Sequence, residues 1–360
     1  MGRVELRNLS KTFAPNIRAV ENVDLAIEEG EFVTLLGPSG CGKTTTLRLV
    51  AGFEEPTSGQ ILIDGQDVTA LPPYRRNAGM VFQSLALFPH MDVFDNIAYG
   101  MRIRKLSRTE IHEKVAELLG LVKLSGMERR KIQQLSGGQQ QRVAFARALA
   151  MNPSVFLLDE PFAALDKNLR EEMQVELRKM QKRIQITTIF VTHNQREAMS
   201  MSDRIVVMNQ GRIDQVGGPR EIYLNPASPF VANFIGTTNL IPATVQRVDQ
   251  EIVHLMTPDG PISVTGTDFD VTEGKECLIS IRPESVRLSV EIDKSVENSF
   301  FGKVDFKRHV GELIEYYINT RAGQEIIASY QTGRSEFFEG DTVRVIFDRK
   351  AYRLLEKDNL

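Results

Sequence analysis

Cysteine is nearly missing from this chain of 360 residues. There are two, Cys41 and Cys277, too few for a disulfide framework. Long apolar runs are missing as well: no stretch approaches the ~20 residues that cross a bilayer as a helix. Any membrane role is therefore expected to run through a partner. The opening "MGRVELRNLS" mixes charges into a strand-like alternation, unlike a signal peptide. It carries Leu6 where a myristoylation signal needs Ser or Thr. Net charge is only −3, which removes any bulk electrostatic case for nucleic acid or an anionic membrane. Low-complexity tracts are absent too. These absences predict a soluble protein of the cytosol.

What is present is ordinary globular material, 42% hydrophobic and 25% charged. The length exceeds one compact core and predicts two or three domains. Up to about Val216, short β-branched runs alternate with amphipathic ones, the pattern of a parallel α/β sheet. "FVTLLG" from Phe32, "SVFLLDE" from Ser154 and "TTIFVTH" from Thr187 are almost continuously apolar, as strands buried on both faces are. A capping box, Ser107 with Glu110, opens a predicted helix carrying Ile111, Val115, Leu118 and Leu119, with Gly120 as its stop. A second helix follows Asp166, with Leu169, Met173, Leu177 and Met180 on one stripe; both stripes read as core packing. Gly217 to Asn239 is Gly- and Pro-rich and reads as a connector with one short helix. Beyond Leu240, short alternating strands such as "DTVRVIFD" predict an all-β domain, a small barrel or sandwich.

Gly37-Pro38-Ser39-Gly40-Cys41-Gly42-Lys43-Thr44 fits G-x-x-x-x-G-K-[ST], between an apolar strand and a helical run. Such a loop wraps phosphates in backbone N–H groups; Lys43 reaches the β/γ oxygens and the Thr44 hydroxyl can ligate Mg²⁺. In "VFLLDEP", Asp159 ends a buried strand and suits the Mg²⁺ shell. Glu160, next to it, can take a proton from an attacking water. His193 ends another buried strand. All three features fall at the carboxyl edge where open α/β sheets bind ligands, which points His193 at a γ-phosphate. His90, His112, His254 and His309 have no such context and read as structural. A second anion socket, "LSGGQ" with Ser136, Gly137 and Gly138, follows no buried strand. It suits a phosphate presented from elsewhere.

These motifs, with Gln83 in "VFQSLALFPH" and "AALD" ending at Asp166, resemble those of the ATP-binding-cassette ATPases, in the family's order and near its spacing. The resemblance covers Gly2 to about Ile235. It implies an α/β P-loop NTPase core over 1–235, with a helical subdomain at about 84–152, followed by an all-β OB/TOBE-like barrel over 236–360. It implies a head-to-tail homodimer, in which Ser136, Gly137, Gly138 and Gln139 of one copy close over ATP held by Gly37–Thr45 of the other. By position it gives Lys43, Gln83, Glu160 and His193 catalytic roles, and Thr44, Gln83 and Asp159 the Mg²⁺. Thr45 joins the phosphate loop, and Asp166 falls at the dimer interface. Phe13 matches the aromatic that stacks on adenine, with a strand-end core residue as the alternative.

The segment 83–101 resembles the stretch that in importers receives a helix from the membrane permease. "FIGTTN", "SIRPESVRL" and "HVGELIEYYINTRAG" resemble the β extension of bacterial solute-importer subunits, most like the polyamine, ferric-iron and phosphonate types. Maltose-type sugar importers share the plan, and a non-transport cassette acting on nucleic acid is the remaining alternative. The implied setting is the cytoplasmic face of the inner membrane, with a periplasmic or extracellular solute-binding protein as an indirect partner and no nucleic acid. Cys41, among loop amides at a helix N-terminus, is expected to have a lowered thiol pKa and to lose ATPase activity on alkylation.

Overall fold

The computed structural model describes residues 2–265, 272–290, 296–333 and 337–357. The chain forms two compact units, Met1–Arg220 and Glu221–Leu360. The boundary expected at 235/236 therefore lies inside the second unit.

The first unit opens with β1 (Val4–Phe13) and β2 (Ile17–Ile27), then β3 (Phe32–Leu36) and α1 (Lys43–Ala51). Next come β4 (Ser58–Ile63), β5 (Gln66–Asp67) and β6 (Ala78–Val81). Three helices follow: α2 (Val93–Ile103), α3 (Arg108–Leu121) and α4 (Gly137–Leu149). β7 (Val155–Asp159), α5 (Lys167–Ile184), β8 (Thr187–Thr192), α6 (Gln195–Met201), β9 (Arg204–Asn209) and β10 (Arg212–Gly217) complete it.

Six strands make the central sheet in the order β10-β9-β3-β8-β7-β6. All its pairings are parallel except β9 with β10. Alternation along β7 explains why its sequence is apolar throughout. Phe156 and Leu158 enter a core made with α2, α3, α4 and α5, whereas Val155 and Leu157 enter one made with α1 and the antiparallel strands. Those antiparallel strands are a departure from the purely parallel expectation: β2-β1-β4-β5 form a separate four-stranded sheet. Register shifts between Leu6 and Leu9, and again on to Thr12, break the period-2 signal of β1.

α3 carries its capping box, with Ser107 accepting from the Glu110 amide. Gly120 does not stop it; the helix runs on to Leu121, and Lys123 takes the left-handed conformation (φ 58°) that ends it.

The second unit contains two short helices where one was expected, α7 (Pro219–Leu224), which begins just before it, and α8 (Pro229–Ile235). Its strands are β11 (Asn239–Asp249), β12 (Ile252–Thr257), β13 (Gly260–Thr265), β14 (Glu276–Ile281) and β15 (Val286–Ser289). β16 (Ser299–Val310), β17 (Leu313–Thr320), β18 (Glu325–Gln331), β19 (Thr342–Phe347) and β20 (Tyr352–Glu356) follow. Two five-stranded sheets result, β13-β12-β11-β14-β20 and β15-β19-β16-β17-β18. Their inner faces share one core: Ile241, Val253 and Ile279 from the first meet Val304, Tyr316, Val343, Val345 and Phe347 from the second. This is the barrel-like β domain that the alternation predicts.

Candidate functional site

Register within the central sheet sets the site. Leu36 pairs with Thr192, and Asp159 pairs with Val191. Gly37, Glu160 and His193 thus leave three adjacent parallel strands at one level of one edge.

The loop from Gly37 to Thr45 is glycine-dependent at two points. A Cβ on Gly37 would lie 2.3 Å from Met208 O. Gly42 has φ +104°, and a Cβ there would meet Ala19 O at 2.2 Å. The loop delivers the chain into α1, whose N-terminus has neither a side-chain cap nor an acidic residue in its first turn. Its leading N–H groups therefore stay available to an anion. Lys43, only 6% exposed, turns its ammonium back onto Gly37 O and Pro38 O, both at 2.8 Å. Ser39 and Gly40 are the exposed crest, Pro38 is half-buried, and Thr44 and Thr45 are half-buried at the helix start.

Asp159 is 6% exposed and accepts the Thr44 hydroxyl at 3.0 Å. Burial pushes its carboxyl up; the Thr44 hydroxyl, Arg48 and Lys43 oppose this, and Glu160 adds to it. Glu160 adopts φ 43°, a left-handed conformation that turns the chain out of the sheet, while its N–H still donates to Val191 O. Its carboxylate lies 3.1 Å from His193 Nδ1. β6 ends at Val81, beside Leu158, which leaves Gln83 exposed just beyond the same edge. Phe13 sits apart from these strands, at the end of β1, half-buried with the Lys11 ammonium 4.8 Å from its ring centroid.

Ser136–Gln139 begin α4. Ser136 caps the helix by accepting the Gln139 amide, and Gln139 accepts the Ser136 amide in return. Both side chains are occupied in the cap, and the exposed Ser136 and Gly137 face outward. Among the described residues no hydrogen bond joins Ser136–Gln139 to Gly37–Thr45, so one copy does not bring the two sockets together. Gly138 is small for a reason of packing: a Cβ there would lie 2.9 Å from Leu169 on α5. Asp166 caps α5 through the Leu169 amide.

The expectation for Cys41 is reversed. The residue is 3% exposed, and burial pushes its thiol up, outweighing the opposing pull of Lys43. Desolvation beats the loop amides because the side chain points into the core beside Leu47 and Met208 rather than into the phosphate cradle.

The sequence reading also missed Arg147. Its guanidinium donates to Leu85 O and Ala86 O, each at 2.7 Å, and holds a turn in which both residues are left-handed. An arginine inside a helical stripe carries no signal of such a grip.

Known proteins resemble this chain over most of its length. The spermidine/putrescine import ATP-binding protein PotA of Trichodesmium erythraeum is 49% identical over 330 residues, 90% of this chain and 86% of that protein. PotA of Rubrobacter xylanophilus is 46% identical over 96% of this chain and 92% of its own length. The chain belongs to the ABC transporter family. It is an ATPase coupled to transport, with a TOBE extension. The family model described as ABC transporter matches residues 20–163, and that described as TOBE domain matches 279–355. A solved ATP-binding-cassette dimer in a post-hydrolysis state, bound to ADP and Pi, is 35% identical with a TM-score of 0.54, covering 60% of this chain and 99% of its own. The cbiO1 subunit of an ABC transporter complex from Clostridium perfringens is 31% identical with a TM-score of 0.56, covering 61% and 89%. Among the described residues no helix is long and apolar enough to cross a membrane.

Proposed function

We propose that this chain is the energy-coupling ATPase of a polyamine importer, acting as a head-to-tail homodimer on the cytoplasmic face of the membrane. The observation that carries the solute class is the reach of the likeness. Identity with proteins named for spermidine/putrescine import extends over 90–96% of the chain, through the β unit as well as the ATPase unit. The permease docks on the segment 83–101, and a periplasmic or extracellular binding protein acts through that permease.

In this reading ATP lies on the loop Gly37-Pro38-Ser39-Gly40-Cys41-Gly42-Lys43-Thr44-Thr45, with Phe13 against the adenine. Lys43 exchanges its two carbonyl partners for phosphate oxygens, a short swing since both already belong to the loop. A divalent cation fits the donor set: the Thr44 hydroxyl and Asp159 carboxylate converge to 3.0 Å, oxygen ligands suited to Mg²⁺ bound largely through substrate phosphates. Thr44, Asp159 and Gln83 would hold it, and it would neutralise charge on the transferring phosphoryl group. Glu160 accepts the proton of the attacking water, and His193, in contact with Glu160, orients the γ-phosphate. Ser136, Gly137, Gly138 and Gln139 of the second copy close the site. The outward-facing signature, separate from its own loop, supports a site shared between copies.

Uptake tests the assignment. Cells lacking this chain are given the native sequence or Glu160→Gln, and labelled spermidine, putrescine, ferric iron, a phosphonate and maltose are offered in parallel. Polyamine uptake is expected to fail without the chain and to return only with the native sequence. Unchanged polyamine uptake, with loss of another solute, overturns the solute class. Ser136→Arg is expected to bind ATP but to abolish the ATP-dependent dimer seen by light scattering; a normal dimer refutes the shared site.

A further inference from the structure

His193 has an exposed side chain, 61% accessible, and Glu160 is its one polar partner among the described residues. A ring so exposed takes its aim from its backbone, and that backbone is tied from behind. Thr192, 2% exposed at the end of β8, donates its hydroxyl to Glu197 Oε2 at 2.6 Å. The Thr192 hydroxyl oxygen accepts the Asn194 N–H at 3.0 Å. Asn194 Oδ1 in turn accepts the amides of Arg196 and Glu197, which starts α6. His193 therefore sits in a turn whose flanking residues are bonded to each other, with Thr192 held in addition by one buried carboxylate.

Glu197 is 5% exposed, an expensive place for a carboxylate. Burial pushes its carboxyl up, while the Thr192 hydroxyl, Arg170 and His193 oppose this and Glu160 adds to it. Its nearest cation, Arg170 Nε, is 3.9 Å away, buried and without a hydrogen-bond partner. Arg170 also donates to Leu165 O, next to Asp166. Glu160, His193, Thr192, Arg170 and Glu197 line one cavity of about 80 Å³.

We propose that Thr192 and Glu197 are positioning residues for His193: the carboxylate orients the hydroxyl, and the hydroxyl fixes the turn that aims the imidazole at the reacting phosphate. The inference rests on the γ-phosphate role given to His193 above. Small displacements of an orienting group lower turnover while leaving substrate binding, made mostly by the phosphate loop, nearly intact.

The test is steady-state ATPase of the full chain. Thr192→Val, nearly isosteric but without the hydroxyl, is expected to lower kcat about 10-fold or more with KM for ATP within about 2-fold. Thr192→Ser should restore it. Glu197→Ala should behave as Thr192→Val does, and Glu197→Gln, which keeps an acceptor oxygen, should lie near native. The deciding comparison is Thr192→Val with His193→Ala, which should lose no more than His193→Ala alone. A native kcat in Thr192→Val, or losses that multiply in the double variant, overturns the proposal. Native turnover in His193→Ala removes the role of His193 itself and the inference with it. Should Thr192→Val not fold, Glu197→Asp, which withdraws the carboxylate by one methylene, carries the same comparison.

Discussion

Replacing Arg282 by Met should loosen the second unit at one defined place. Arg282 is 5% exposed on the loop after β14. Its guanidinium donates to Tyr223 O at 3.1 and 2.8 Å, to Ala232 O at 2.9 Å, to Gly236 O at 3.1 Å and to Thr237 O at 3.2 Å. It also lies over the Tyr223 ring, 4.2 Å from the centroid. Tyr223 donates its hydroxyl to Glu284, and burial with this bond pushes the phenol up to about 12. Four carbonyl oxygens from α7, α8 and the chain beyond α8 thus converge on one cation. Each carbonyl that loses its donor costs roughly 1 kcal/mol, and release of the guanidinium from its buried site returns part of the sum. The net is about 3 kcal/mol, or roughly 10 °C in the melting of a unit this size. Circular dichroism melting measures the total, and hydrogen exchange at the α8 amides shows where it falls. Arg282→Lys should recover less than half, since three donors on one nitrogen cannot span the carbonyls a planar fork reaches. Melting within about 2 °C of native, or unchanged α8 protection, would refute the reasoning.

Other expectations concern the phosphate loop. Gly42→Ala places a Cβ against Ala19 O, so ATP affinity should fall at least about 10-fold by fluorescent-nucleotide titration, with a lower melting point. Gly40→Ala has open space around it, so it should cost only about 1–2 kcal/mol of left-handed strain; equal melting losses in both variants would sink the distinction. An ordinary cysteine is about 3% thiolate at pH 7, and burial holds Cys41 below that. Alkylation by iodoacetamide should run at least about 10-fold slower than on a free thiol, rise with pH and end ATPase activity. Cys41→Ala should be insensitive. A rate like that of glutathione, or unchanged sensitivity in Cys41→Ala, contradicts the burial argument.

Much of this protein was determined locally and could be read from its sequence. The phosphate loop, the strands around Phe32, Val155 and Thr187, and the Ser107 cap depend on residues close together in the chain, so their chemistry and period are visible there. The family resemblance carried the TOBE extension in the same way.

Tertiary structure alone decided the rest, wherever distant segments compete or combine. β1 became part of an antiparallel sheet because its bulged alternation is completed by β2 and β4, which no local pattern announces. The Cys41 thiol was set by the core packed around it rather than by the neighbouring amides. Arg282 was carried beneath α7 and α8 by packing over separations that neither periodicity nor motif spans, and the burial of Glu197, only four residues from His193, was set by the core that closes over it. A short sequence shows which groups are available; desolvation and partnership, which set what those groups do, exist only once the chain has closed around them.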